Sequence, residues 1–93
     1  MAASVAGSLL IVRLSGTVDP VVATYRITFA PVDARLRGRH VACERFEGLT
    51  DFLRKAGVPT FEVERAWRTL ARRRFYSVPR VALTVDQIET LGL

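Results

Sequence analysis

The side chains best suited to recognition chemistry are arginines set at helical spacing. Arg65, Arg68 and Arg72 recur at intervals of three and four residues, so at 100° per residue they share one side of a helix. Each guanidinium is a planar fork of N–H donors that grips phosphate or carboxylate oxygens in pairs. Arg73 and Arg80 extend the run, and from Arg65 to Arg80 six arginines meet no acid. A second basic stretch runs from Arg35 to Arg45. It holds Arg35, Arg37, Arg39 and Arg45 together with His40, against the single acid Glu44. In the rest of the chain four bases face eight acids. The formal charge of +5 therefore comes from two short segments, the clustering expected of an anion-binding face. The expectation is that these segments meet in one cationic surface, neutralised by a nucleic acid or by an acidic protein.

Catalytic chemistry has less to work with. His40 is the only histidine, which excludes a metal site built on two imidazoles. His40 and Cys43 stand three apart on an expected strand, so their side chains project to opposite faces and do not make a nucleophile–base pair. Glu62 and Glu64 sit near a helix start, where the helix dipole already accounts for them. No Gly-x-Gly phosphate loop occurs. The reading is of a non-enzymatic protein with no cofactor and no metal.

Composition sets the frame for these residues. With 49% hydrophobic and 25% charged residues in 93, the chain fits one packed domain rather than a disordered tail or a disulfide scaffold. The single cysteine forbids an intrachain disulfide and suits a reducing compartment, so cytoplasm is expected. The start has no basic segment, and the apolar run Leu9–Val12 is too short for a signal peptide or a membrane span. Thirteen of the 14 bases are arginine, alongside 11 alanines and 12 valines. GC-rich codon usage gives that bias, so the placement of the arginines carries more information than their number.

The elements that must position them change character along the chain. Residues 1–7 are expected to be disordered, and 9–47 are strand-rich. Leu9–Leu14 is aliphatic and β-branched, and turn residues follow at Ser15–Thr17 and Asp19–Pro20. In Ala23–Ala30, Tyr25, Ile27 and Phe29 alternate with Thr24, Arg26 and Thr28, the period of a half-buried strand. His40–Phe46 reads as a third strand, with Val41, Cys43 and Phe46 inward. An exposed edge at Leu9–Leu14 would let a second copy pair and form a homodimer. Tyr25 and Phe29, rimmed by Arg35, Arg37 and Arg39, admit a base-stacking role, but their alternation favours a place in the core.

Residues 48–76 shift to helical period. Leu49, Phe52, Leu53 and Ala56 form one stripe that Gly57 and Pro59 end. Thr60 is expected to cap the next helix, with Val63, Ala66, Trp67, Leu70 and Ala71 inward and its end near Arg74. Phe75–Pro79 reads as irregular, Arg80–Leu83 as a short strand, and Thr84 as the cap of a helix over Val85–Leu91 that stops at Gly92. The fold expected is α+β: a small antiparallel sheet of three to four strands with two to three helices on one face.

The helix–Gly–helix segment Leu49–Leu70, with Ala56-Gly57-Val58 at its turn, resembles the helix-turn-helix of bacterial repressors. That resemblance implies that the second helix enters a major groove with Arg65, Arg68 and Arg72 outward. The same spacing also describes an αα-hairpin that only covers a sheet. Two functions stay open: nucleic-acid binding through the arginine face, or a protein-interaction or assembly module docking an acidic partner.

Overall fold

Alternation along the strands dictates one wet and one dry sheet face, and burial follows it. In the computed structural model, which describes residues 4–14, 19–33 and 35–93, Tyr25, Ile27 and Phe29 are buried and Arg26 between them is exposed. The element order is β1 (Ser4–Arg13), β2 (Thr24–Pro31), β3 (Arg39–Glu44), α1 (Arg45–Lys55), α2 (Thr60–Arg72), β4 (Phe75–Thr84) and α3 (Val85–Leu91). The strands form one antiparallel sheet in the order β3-β2-β1-β4, with the core on a single face. This is the α+β architecture read from the sequence, at the upper end of its expected strand and helix counts.

The first three strands make a meander. The α1–α2 hairpin then carries the chain from the β3 edge to the opposite edge, where β4 pairs with β1. Leu9, Ile11, Tyr25, Ile27, Val78 and Leu83 from the sheet meet Leu49, Leu53, Val63, Ala66 and Leu70 from the helices. The two helices end and begin as their residues require. At the end of α1 the Val58 N–H donates to the Leu53 carbonyl and the Gly57 N–H to that of Arg54. This double bond pattern needs a left-handed residue, which Gly57 supplies at φ 83°. Thr84 caps α3 as expected. Its hydroxyl accepts from the Gln87 N–H, and the Gln87 side chain accepts from the Thr84 N–H.

Several expectations are corrected. Ser4–Gly7 belong to β1, paired with β4, rather than to a disordered start; residues 1–3 lie outside the described residues, as does the expected turn at 15–17. Leu9–Leu14 is not an edge: β1 is an inner strand, because β4 returns to lie beside it. Phe75–Pro79 is not irregular but the first half of the ten-residue β4. Pro79 is tolerated because β4 is an edge strand and because a bulge there sets Pro79 and Arg80 opposite the single residue Ser8. Thr60 is the first helical residue of α2 and the extended Pro59 its N-cap, whose carbonyl accepts from the Glu62 and Val63 N–H groups. Phe46 lies in the first turn of α1, not in β3, and Ala71 is exposed.

Candidate functional site

The sheet register decides which arginines meet. β1 and β3 run in one direction and β2 and β4 in the other. Ser4, Pro31, Arg39 and Thr84 therefore share one end of the sheet, and Arg13, Thr24, Glu44 and Phe75 the other. Arg35, Arg37 and Arg39 belong to the first end, in and after the β2–β3 connection. Arg72 and Arg73 belong to the second, where α2 feeds into β4 and the Arg13 N–H donates to the Arg74 carbonyl at 2.8 Å. Arg39 is level with Phe29 and Leu9 on the β3 edge, whereas Phe75, just after Arg72 and Arg73, is level with Val12 on the β4 edge. Three rows along the strands and three strand spacings across the sheet, roughly 10 Å and 14 Å, separate Arg39 from the start of β4. Arg35, Arg37 and Arg39 therefore do not join Arg72 and Arg73, while Arg45, which follows β3, belongs to the second end. Arg80 stands apart from both, at the bulge on the β4 edge.

Within the second stretch the helix does bring side chains together. Arg65, Arg68 and Arg72 are all exposed on α2, as the helical wheel requires, while Val63, Ala66 and Leu70 are buried beneath. Arg68, Arg72 and Arg73 line a surface groove of about 580 Å³ together with Trp67. Trp67 is half-buried rather than fully in the core. Its ring lies 3.8 Å from that of Phe46 at a 41° tilt, which braces it from below.

The ion pairs sort the arginines further. Arg65 sits 3.7 Å from Glu62, one helical turn earlier, and Arg35 bonds Asp33 at 2.9 Å. The Arg35 guanidinium beside Asp33 holds that carboxyl below its ordinary range. Among the described residues, Arg37, Arg39, Arg68, Arg72, Arg73 and Arg80 have no carboxylate within ion-pair distance. Such cations gain by meeting an external anion, because no internal partner is lost in doing so.

Other candidates fall away. Tyr25 and Phe29 are 0% and 5% exposed, so neither is available to stack a base. The Tyr25 hydroxyl donates to the Pro20 carbonyl at 2.6 Å, and burial pushes its phenol above the ordinary range. Cys43 is half-buried, and burial raises its thiol, with Asp51 adding to the effect; a protonated thiol is a poor nucleophile. His40 is exposed on the face away from the helices. Among the described residues, no three of His, Cys, Asp and Glu gather as metal ligands would. No helix among them is long and apolar enough to cross a membrane.

Glu62 is a residue whose role the sequence understated. Beyond its place in the first turn of α2, it accepts a 2.9 Å hydrogen bond from the Tyr76 hydroxyl of β4. Only the strand extension through Phe75–Pro79 makes that contact possible. Compared with known proteins, the chain matches no family model, no curated protein and no solved structure.

Proposed function

We propose that this protein binds nucleic acid through the outer face of α2 and the turn that follows it. The observation that carries the reading is the groove shared by Arg68, Arg72 and Arg73, three cations without an ion-pair partner among the described residues, set around Trp67. Guanidinium forks engage phosphate oxygens bidentately, and the half-buried Trp67 indole adds aromatic surface beside them. Arg65, tied to Glu62, contributes less, and Arg35, Arg37, Arg39 and Arg80 lie too far away to share one short site. Contacts of this kind hold the backbone and carry little sequence information, so binding is expected to be largely sequence-independent.

The hairpin supports this reading in a limited way. Its inner faces lie on the sheet, with α1 against β3 and α2 against β4, so covering the core accounts for its geometry. What α2 adds is its free outer side.

The test is titration of labelled duplex DNA and of labelled RNA with the full chain at about 50 mM salt. Saturable binding to either supports the proposal, and the tighter of the two names the ligand. No binding to both overturns it. Should partners captured from cells survive nuclease treatment, the α2 face docks an acidic protein instead.

A further inference from the structure

We propose that the groove between α3 and the Pro31–Arg39 end of the sheet is a binding site for a small carboxylate with a single apolar tail. The groove holds about 520 Å³, within the roughly 300–1,000 Å³ typical of small-ligand sites. Its walls are apolar. Val5 and Phe29 come from the sheet, Leu36 from the β2–β3 connection, and Val85 and Ile88 from α3. Two of these are unusually wet: Val85 is 57% exposed and Leu36 47%. An apolar tail laid between them would remove that surface from water.

The charged lining fixes the head group and its direction. Arg37 and Arg39 reach the groove from the loop side, and neither has a carboxylate within ion-pair distance among the described residues. Arg35 does not compete for the role, because Asp33 already occupies its fork through two side-chain bonds. The third charged residue, Glu89, sits on the α3 wall one position after Ile88, and it too lies beyond ion-pair range of both arginines. A negative head group is therefore drawn to Arg37 and Arg39 and repelled from α3, which leaves the tail to run along Val85 and Ile88. A neutral molecule would leave the arginines unused. A zwitterion would need Glu89 as a partner rather than a repellent.

The site is independent of the α2 face, at the other end of the sheet, so the two proposals stand or fall separately. The experiment is an amide-resolved NMR titration of the full chain with decanoate at concentrations below micelle formation. Decanol is the uncharged control, and the variants are R37A/R39A and E89Q, each checked for a native spectrum. All three substituted side chains are exposed, so these variants are expected to fold. The expected result is saturable shifts at Val5, Phe29, Leu36 and Ile88. Decanol and R37A/R39A should each bind at least about tenfold more weakly, since both lose the charge-assisted bonds. E89Q should bind as tightly as the parent or more so. Five results overturn the proposal: no saturation, shifts mapping to another surface, decanol binding as well as decanoate, R37A/R39A binding as well as the parent, or weaker binding in E89Q, the last because it would make Glu89 a partner of the ligand.

Discussion

The hydroxyl of Tyr76 donates a 2.9 Å hydrogen bond to Oε1 of Glu62, tying β4 to the first turn of α2. The other oxygen of the same carboxylate faces Arg65 at 3.7 Å. The Glu62 side chain is only 13% exposed, so water replaces a lost partner poorly. Tyr76→Phe is expected to lower stability by about 1–3 kcal/mol, the range for removing a hydrogen bond to a partly buried charged group. Urea denaturation of the two proteins measures it; equal midpoints would show that the contact does not bind strand to helix.

Alkaline pH offers a second test. Burial raises the phenols of both Tyr25 and Tyr76 above their ordinary value of 10.0, and Glu62 raises Tyr76 further. The unfolded chain therefore releases these protons at a lower pH than the folded one. Stability from this source is complete below pH 10.0 and falls as pH climbs from there through the folded-state values. Denaturation midpoints collected across that range should decline in the parent and decline less in Tyr76→Phe. A flat profile in the parent would contradict the packing of both rings.

Gly7 tests the centre of the sheet. A Cβ added there would lie 2.5 Å from the Ala30 carbonyl oxygen, 2.7 Å from Cε1 of Phe29 and 2.9 Å from the Pro31 Cα. Two of these neighbours are backbone, in a strand that cannot yield without breaking its ladder. Gly7→Ala should cost about 1–3 kcal/mol, as overpacking does. A thermal melt within a degree of the parent would mean that β1 and β2 do not approach so closely.

Much of this architecture is legible in the residues, and the parts that are not have identifiable causes. The strict alternation of Tyr25, Ile27 and Phe29 specifies both a strand and its dry face. The stripe Leu49, Phe52, Leu53, Ala56 and the break at Gly57 specify α1 and its end. Thr84 and Gly92 specify the start and the end of α3. Phe75–Pro79 is opaque because proline argues against a strand unless the strand is known to be an edge, and edge position is a property of the whole sheet. The inner position of β1 is hidden for the same reason, since it depends on where the α1–α2 hairpin returns the chain. The meeting of Arg68 and Arg72 follows from helical spacing and is visible locally, whereas Arg73 joins them because the helix ends at Arg72 and the chain turns extended there. Whether Arg37 and Arg39 join them depends on strand direction, which no local pattern encodes.

That separation makes its own prediction. At about 0.1 M salt the Debye length is roughly 10 Å, shorter than the roughly 17 Å that three rows and three strand spacings put between Arg39 and the start of β4. Substituting R37A/R39A should therefore change nucleic-acid affinity by no more than about threefold, although it removes two positive charges. A loss as large as that caused by substitutions on α2 would mean that the ligand spans the molecule from end to end.

The most direct measurement of the central claim is the salt dependence of nucleic-acid affinity, for the parent chain and for R68A/R72A/R73A. Three phosphate contacts give a slope of about −2.7 in log affinity against log salt on duplex DNA, or about a 40-fold loss between 50 and 200 mM. The parent should show a slope at least that steep, and the triple variant should lose most of it while keeping its fold. A parent slope near zero, or one that the triple substitution leaves unchanged, would contradict the assignment of binding to the α2 face.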